Sequence, residues 1–393
     1  MKTRWIMGLL ALAAISLPAL GWAQKQPVVI GAVVAETGPA SSLGTGEVKA
    51  IHMLEKKINA NGGIAGHDLE VKILDSASSP QKDVLGVRKL ITRENAVGII
   101  CCTTSPESMA ILDTIKREQV PNISIAASAD IVQPASERHW VFKTPPLDST
   151  MVAAEVKDMQ NRGITKVGFI GFSDAYGQSG LAEFKKAAEP AGIEIVDVEQ
   201  YARTDTNLSS QASKLVGADP QAILIWAIPP GANRAQKALQ NAGYKGTIYQ
   251  SYGVTNETFM RLGGKSLNGT LVSVLPVIVH DKLPDSLPFK SVVEDFVSEY
   301  KAAYDETPSS FAGHAYDAVK IFAAVAQDVL ENDKAKLSDT AAFRAALRDG
   351  IENLDNFQAV DGTFNFSKDD HVGLSTSSAV MVKIEDGDYV VIQ

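Results

Sequence analysis

Short apolar runs alternate with amphipathic runs from Pro27 onward. The run VVIGAVVA (28–35) predicts a buried strand, and apolar residues recur at helical spacing in the segment that follows it. Continuous apolar strands joined by helices are typical of a parallel sheet covered by helices on both faces. In this first part the pattern predicts strands at 28–35, 68–74, 96–102 and 120–128, and helices at 46–63, from Pro80, and at 105–119.

The same alternation restarts after FKTPPLDS (142–149). The pattern predicts strands at 165–172, 191–198, 221–228 and 246–252, and helices near 177–190, 208–217 and 231–242. Residues 287–350 are predicted to be mostly helical, and the tail is predicted to form a hairpin that turns at Asp386-Gly387. The chain is therefore expected to be an α/β protein with two similar lobes.

The first 23 residues have the pattern of an export signal. Lys2 and Arg4 precede an uncharged run that contains Pro18 and ends at the small residues around Ala23. A signal peptide cleaved after Ala23 fits this pattern, so the mature chain is expected to begin at Gln24. The alternative is a membrane anchor, but the proline lies where a spanning helix would have to continue.

Composition and motifs argue against several classes of function. The chain carries 46 acidic and 37 basic side chains, for a net charge of −9, which disfavours nucleic acid or an anionic membrane as a partner. Gly44-x-Gly46 lacks the third glycine of a dinucleotide motif, and the six histidines show no metal-ligand spacing. The sequence therefore predicts no catalytic residue, no metal and no cofactor, although a site assembled from distant residues stays open.

Two neighbouring cysteines, Cys101 and Cys102, end a predicted central strand. Side chains alternate between the faces of a strand, so the two thiols are expected to point apart as small buried hydrophobic groups. A disulfide between them is the alternative, and it would need an unusual geometry. Too few cysteines are present for a disulfide scaffold.

Hydroxyl side chains follow the cysteines. Thr103, Thr104 and Ser105 lie at the carboxyl end of a strand and at the start of a helix, where open α/β sheets bind ligands and backbone N–H groups can receive an anion. Ser105 is also a possible cap for the helix that Pro106 begins, and both roles can hold together. Ser128 ends the next strand in the same manner and brings another hydroxyl to this edge.

The order of several segments resembles a known family. IGAVVAETGPAS, INANGGIAGHDLEVKILDSASSPQ, CTTSPES, VPNISIAAS, DAYGQSG and NAGY follow one another as in the periplasmic leucine/isoleucine/valine-binding proteins, the type I substrate-binding components of ABC importers. The resemblance implies two doubly wound parallel-sheet lobes joined by three crossovers. Lobe one would comprise 24–145 plus 277–356, and lobe two 146–276 plus 357–393. It also implies a periplasmic monomer that binds a small ligand by hinge closure and delivers it to an inner-membrane ABC permease.

The resemblance assigns roles to individual residues. It places Thr103, Thr104 and Ser105 at the ligand carboxylate, with the Ala126 carbonyl and the Ser128 hydroxyl nearby. Tyr176 would close over the ligand from lobe two. Leu43, in the loop after the first strand, would line the side-chain pocket or serve only to anchor that loop.

Three segments depart from the family pattern. Ser78 stands where the amino-acid binders have a cysteine that pairs with the one near 102. Ile228 and Pro229 occupy a segment that supplies a tyrosine in the family. Tyr252 replaces the glutamate that pairs with the α-ammonium of an amino acid, and Asp174 is a candidate replacement for that carboxylate.

These departures predict a ligand with a carboxylate and no α-ammonium, such as an aromatic or other organic acid. Tyr176, Ile228, Pro229, Tyr252 and Trp226 would surround its apolar body. Tyr252 could instead pack inside lobe two. Other readings are an amino-acid or amide binder with a rebuilt ammonium site, a sensor subunit that presents ligand to a membrane receptor, and an exported hydrolase.

Overall fold

The first of two large sheets is built from the N-terminal third of the chain. A computed structural model describes residues 25–332, 334–374 and 379–392, so the predicted signal peptide lies outside the described residues. The strands of the first sheet are β1 (Val28–Val34), β2 (Leu69–Asp75), β3 (Gly98–Ile100), β4 (Asn122–Ser124) and β5 (Val141–Lys143). Every pairing is parallel, and the order is β2–β1–β3–β4–β5. The connecting helices are α1 (Ser41–Ala60), α2 (Pro80–Thr92) and α3 (Ser105–Glu118).

The second sheet repeats this plan. It begins with α4 (Asp148–Asn161) and continues through β6 (Lys166–Phe172), α5 (Ala175–Ala188), β7 (Glu194–Tyr201), α6 (Ser209–Gly217), β8 (Ala222–Trp226), α7 (Gly231–Asn241), β9 (Thr247–Gln250), α8 (Glu257–Gly263) and β10 (Leu271–Val274). The predicted α/β architecture with two parallel sheets is confirmed. Strand β7 runs three residues beyond its predicted end at Val198.

The C-terminal third adds three helices, two strands of the second sheet and a separate two-stranded sheet. Its elements are α9 (Lys290–Tyr304), α10 (Ser310–Glu331), α11 (Thr340–Glu352), β11 (Phe357–Gln358), β12 (Thr363–Phe364), β13 (Val380–Glu385) and β14 (Asp388–Val391). The last two strands form the predicted hairpin at Asp386-Gly387 and complete the second sheet in the order β14–β13–β10–β9–β8–β6–β7. Helix α10 packs on α1 and β3 of the first sheet.

The segment from 357 to 374 bonds to the first sheet and its helices. Val360 N–H donates to Asp317 of α10 at 2.8 Å, and Lys143 N–H of β5 donates to the His371 carbonyl at 3.1 Å. The ring of Phe366 packs edge-on against Phe142 of β5. Residues 357–374 therefore lie with the first sheet, whereas the sequence placed all of 357–393 in lobe two. The boundaries predicted at 145 and 276 stay predictions.

Two glycines bring a helix close to the end of a strand, one in each sheet. A Cβ at Gly44 of α1 would overlap the Ala35 carbonyl oxygen, and a Cβ at Gly177 of α5 would overlap the Phe172 carbonyl oxygen. Helix α1 begins at Ser41, so Leu43 lies in its first turn and not in a loop as predicted. Both helices thus start directly above the carboxyl end of the first strand of their sheet. Within the described residues, we find no helix whose length and apolarity would let it span a bilayer.

Candidate ligand-binding site

A cleft with an empty volume of about 340 Å³ lies where the carboxyl ends of the two sheets face each other. From the first sheet come residues at the start of α1 and after β3 and β4. From the second come residues after β6, β7, β8 and β9. Eight of the ten residues predicted for the site line this cleft: Leu43, Thr103, Thr104, Ser105, Ala126, Tyr176, Ile228 and Tyr252.

Three residues expected around the ligand lie elsewhere. The Ser128 hydroxyl accepts from Asp130 N–H at 3.3 Å, so it caps a short 3₁₀ turn. Pro229 lines an adjoining groove. Trp226 is fully buried behind Tyr176, with ring centroids 5.8 Å apart.

The two threonine hydroxyls of the cleft form hydrogen bonds within the protein. Thr103 Oγ1 donates to Glu47 at 2.5 Å and accepts from Ala35 N–H at 2.9 Å, which ties β1, α1 and the loop after β3. Thr104 donates both its N–H and its hydroxyl to Glu107, at 3.0 and 2.7 Å, in a capping box that starts α3. Neither hydroxyl proton is therefore free for a ligand.

Ser105 is the residue at this edge that remains able to donate to an anion. It is the first residue of α3, whose opening N–H groups have no intrahelical acceptor. Its Oγ accepts from Ser128 N–H at 3.1 Å, which leaves the hydroxyl proton available. The cap is thus Thr104, one residue before the predicted cap, and the anion-binding role falls on the N–H and hydroxyl of Ser105.

Buried carboxyl groups stand behind this helix start. Burial raises the pKa of Glu47 to about 8, and it also raises the pKa values of Asp83 and Glu107. At neutral pH Glu47 and Asp83 are therefore biased towards their protonated, uncharged forms. This protonation limits the repulsion that an incoming carboxylate would meet.

The expectation for the cysteines was partly wrong. Both side chains are fully buried, as predicted, but their sulfurs form a disulfide. Strand β3 ends at Ile100, so the two residues lie past the strand and the rule of alternating faces does not apply to them. Asp83 lies beside the pair, but the bonded sulfurs leave no thiolate there to bind a metal.

Arg203 is a cleft residue that sequence reasoning missed. It follows the end of β7, lines the cleft, and lies with its guanidinium 4.5 Å from the ring centre of Phe172. Its Nε donates to Asp174 at 2.5 Å, while its Nη1 is buried and has no protein acceptor among the described residues. An unpaired guanidinium nitrogen in a cleft calls for a ligand acceptor, and a carboxylate is the acceptor that matches its charge.

Asp174 does not supply the missing ammonium site. One carboxylate oxygen accepts from the N–H groups of Tyr176 and Gly177, at 3.0 and 3.4 Å, and so caps α5. The other oxygen pairs with Arg203. In the part of the chain that the structure describes, no acidic residue lines the cleft.

Aromatic and aliphatic side chains form the remaining walls. Tyr176 donates its hydroxyl to Ser251 at 3.0 Å, which fixes its ring across the cleft. Tyr252 lines the cleft with its hydroxyl unpaired and does not pack away inside the second lobe. Leu43, Ile228 and Phe311 complete an apolar middle. Phe311 and His314, from the first turns of α10, were also missed, since they are distant in sequence from every other cleft residue.

Comparison with known proteins gives a consistent assignment. Residues 27–388 match the family described as "Periplasmic binding protein". An extracellular ligand-binding receptor from Rhodopseudomonas palustris HaA2 superposes with a TM-score of 0.87 at 31% identity, covering 94% of this chain and 100% of that one. A Leu/Ile/Val-binding protein homolog 3 from Brucella melitensis is 24% identical over 92% of this chain and 93% of its own length. A branched-chain amino acid transporter substrate binding protein from Streptococcus pneumoniae, solved with isoleucine, shares the fold with a TM-score of 0.79 at 22% identity, covering 93% of this chain and 99% of that one.

The family comprises periplasmic proteins that bind small molecules and interact with ABC permeases; it is not a family of enzymes. The match spans both sheets and the cleft between them. The parallel order of the strands and the cleft at their carboxyl ends agree with that assignment. The chain therefore belongs to the type I periplasmic binding proteins of the leucine/isoleucine/valine-binding protein family.

Proposed function

We propose that this protein captures a small organic acid without an α-ammonium group, with an aromatic acid as the best fit, and delivers it as a monomer to an inner-membrane ABC permease without any chemical change. The observation that carries the proposal is the unpaired Nη1 of Arg203 in a cleft without acidic lining. A carboxylate would accept from Arg203 on one side and from Ser105 at the start of α3 on the other.

Electrostatic contacts support this placement of the carboxylate. Burial raises the pKa of Glu107, which is hydrogen-bonded to Thr104 at the start of α3, and the charge of Arg203 offsets part of that rise. The guanidinium and the helix start thus lie within electrostatic range, although they belong to different sheets. A ligand carboxylate between them would be shared by both lobes, as closure around a ligand requires.

The walls of the cleft favour a flat apolar body. Tyr176 and Tyr252 offer ring faces, and Leu43, Ile228 and Phe311 offer aliphatic or aromatic edges. An α-ammonium group in this cleft would meet no carboxylate partner. Leaving a buried charge unpaired costs about 2–5 kcal/mol, which is roughly one and a half to three and a half decades in affinity.

Thermal unfolding of ligand-stripped protein tests the proposal. Residues 24–393 would be refolded and melted with equal concentrations of benzoate, phenylacetate, 3-phenylpropanoate, aliphatic acids, amides, leucine and other amino acids. A ligand at a hundred times its dissociation constant adds about 2.7 kcal/mol and raises the melting temperature by a few degrees. We expect shifts with aromatic acids and none with leucine, and the reverse result would overturn the proposal.

Amino-acid binding is the second candidate, because relatives such as the leucine-, isoleucine-, valine-, threonine- and alanine-binding protein of Pseudomonas aeruginosa carry that function in their names. That relative is 24% identical over 79% of this chain and 80% of its own length. Such a ligand would need its ammonium group to bond to carbonyl oxygens and ring faces alone. The leucine arm of the same experiment decides between the two candidates.

A further inference from the structure

Two polar atoms that line the cleft are not used by the carboxylate site. The Nε2 of His314 and the hydroxyl of Tyr252 belong to side chains that are 0% and 1% exposed, and neither atom has a protein hydrogen-bond partner among the described residues. Buried polar atoms in folded proteins are nearly always paired. Both residues face the cleft, so a ligand atom can pair with them.

The two residues come from different parts of the fold. His314 lies in α10, which packs on the first sheet, and Tyr252 follows β9 of the second sheet. Both line the same cleft as Arg203 and Ser105. The cleft thus offers two polar atoms besides those of the carboxylate site.

His314 is held rigidly by its surroundings. Its Nδ1 lies 2.6 Å from Asp361 Oδ2, and both side chains are fully buried. The N–H groups of Val360 and Asp361 both donate to Asp317, one turn further along α10, at 2.8 Å each. Thr144 Oγ1 also donates to the His314 carbonyl at 2.9 Å. The imidazole therefore points Nε2 into the cleft from a fixed frame.

The pairing with Asp361 determines what Nε2 can do. Burial raises the pKa of Asp361 and lowers the pKa of His314 to about 3, which favours arrangements of the pair with no net charge. In one such arrangement the carboxylic acid donates to Nδ1 of a neutral ring. In the other, a charged ring donates from Nδ1 to the carboxylate. Nε2 carries a hydrogen in both and presents a donor to the cleft. In a third neutral arrangement the ring donates from Nδ1 to the protonated acid and Nε2 presents an acceptor; a ligand hydroxyl can pair with either form.

We propose that His314 and Tyr252 form a second polar subsite that selects acids bearing a neutral oxygen substituent, such as a ring hydroxyl, on the apolar body in addition to the carboxylate. This inference rests on the proposed function of the cleft. The substituent hydroxyl would pair with His314 Nε2, and its hydrogen bond with the Tyr252 hydroxyl can run in either direction. A second carboxylate would fit less well, because Arg203 is the only lysine or arginine among the described residues that line the cleft, and the first carboxylate already uses it.

Matched ligand pairs test the proposal by isothermal titration calorimetry on the ligand-stripped mature chain. The pairs are benzoate with 4-hydroxybenzoate and 3-phenylpropanoate with 3-(4-hydroxyphenyl)propanoate. We expect the hydroxylated member of at least one pair to bind about ten- to a hundredfold tighter, because it satisfies polar atoms that are otherwise buried and unpaired. Equal affinities within both pairs would overturn the subsite and leave the carboxylate site standing.

Variants distinguish this second subsite from the carboxylate site. Tyr252→Phe and His314→Asn should reduce the affinity ratio within a pair towards one, whereas His314→Gln, which can place an amide N–H near the position of Nε2, should keep part of it. Arg203→Gln should weaken both members of a pair and leave their ratio unchanged. Retention of the full ratio by Tyr252→Phe and His314→Asn, with normal thermal unfolding, would refute the assignment. If no aromatic acid binds the wild-type protein, the proposed function itself fails.

Discussion

Replacing Arg203 by glutamine removes the cationic group of the cleft while leaving the fold largely supported. The variant loses the ion pair with Asp174, which is partly exposed on both sides, at 20% and 23%. Asp174 keeps the N–H groups of Tyr176 and Gly177 as donors, so no buried charge is stranded. Partly exposed pairs contribute about 1 kcal/mol or less, so we expect only a small loss of folding stability.

The loss of affinity follows from the unpaired nitrogen. Two unit charges about 3 Å apart attract each other by about 5.5 kcal/mol at an effective dielectric constant of 20, before desolvation is subtracted. Truncating one partner of a buried charge pair costs about 2–5 kcal/mol. Asp174 already balances part of the guanidinium charge, so the loss of binding free energy in Arg203→Gln should lie at the low end of this range. We expect about 2–3 kcal/mol, or roughly a 30- to 150-fold rise in Kd.

Isothermal titration calorimetry with the tightest-binding aromatic acid of the melting panel would measure this change. The matched control is Arg162→Gln, because Arg162 also pairs through Nε with an aspartate, Asp158, at 2.6 Å, but does not line the cleft. We expect this control to bind within about threefold of wild type, since removal of a surface charge alone contributes little. The affinity of Arg203→Lys should lie between those of Arg203→Gln and Arg162→Gln, because a lysine keeps the charge but lacks the planar guanidinium group.

A particular outcome would refute the reasoning. If Arg203→Gln binds the acid as tightly as wild type, Nη1 does not contact the carboxylate and the ligand charge is held elsewhere. If Arg203→Gln and Arg162→Gln weaken binding equally, the effect is one of overall charge. Urea unfolding of both variants shows whether folding contributes to either result.

Three further predictions concern the rest of the molecule. Glu155 is fully buried, accepts from Ser273 Oγ at 2.7 Å, and has its pKa raised by burial from 4.5 to about 8. Between those pH values only the folded state keeps this proton, so the free energy of unfolding falls with rising pH by about 1.4 kcal/mol per pH unit for this group. Urea unfolding from pH 5.5 to 7.5 should therefore show a shallower fall of this free energy with pH for Glu155→Gln than for wild type. Identical pH dependences would count against the burial argument. Gly177→Ala should lower the unfolding free energy by about 1–3 kcal/mol in urea denaturation, because its methyl group would overlap the Phe172 carbonyl. Gly192→Ala, at a site with no neighbouring atom but a positive φ, is the control for backbone strain alone. Finally, iodoacetamide should add nothing to the mass of the denatured, unreduced chain and two groups after reduction, because Cys101 and Cys102 are bonded; labelling without reduction would contradict the disulfide.

The alternation of apolar strands and helices was enough to predict the two parallel sheets and the C-terminal hairpin. That pattern is local, and burial on both faces of each sheet imposes it along the whole chain. The predicted ligand edge after β3 and β4 followed from one rule, that ligands bind at the carboxyl ends of strands. Thr103, Thr104 and Ser105 line the cleft because that rule depends only on where strands end. The other five predicted residues that line it were assigned by the family resemblance: Leu43, Ala126, Tyr176, Ile228 and Tyr252.

The same rule missed Arg203 because the end of β7 was predicted at Val198, whereas the strand continues to Tyr201. Its last residues, such as Glu199 and Gln200, are polar and only half-buried, as suits an edge strand, so the apolar pattern stops before the strand does. Had the end of β7 been predicted at Tyr201, the same rule would have placed Arg203 at the ligand-binding edge of the sheet.

His314 had no such local signal. It lies inside the long helix α10 and reaches the cleft only because that helix packs across α1 and β3. Its partner Asp361 is 47 residues further along. The prediction for the cysteines was wrong because the rule that side chains alternate between faces was applied to residues that lie just beyond the end of β3.

The position of Arg203 on the second sheet, opposite Ser105 on the first, has a kinetic consequence. A ligand can first dock on the start of α3 while the lobes are apart, so the association rate should depend little on Arg203. If the ligand carboxylate bonds to Arg203 as proposed, dissociation must break that contact before the lobes separate, so this side chain should set the lifetime of the closed complex. Because mutations at one site usually change off-rates more than on-rates, Arg203→Gln is expected to shorten the time for which a loaded protein can search for its permease.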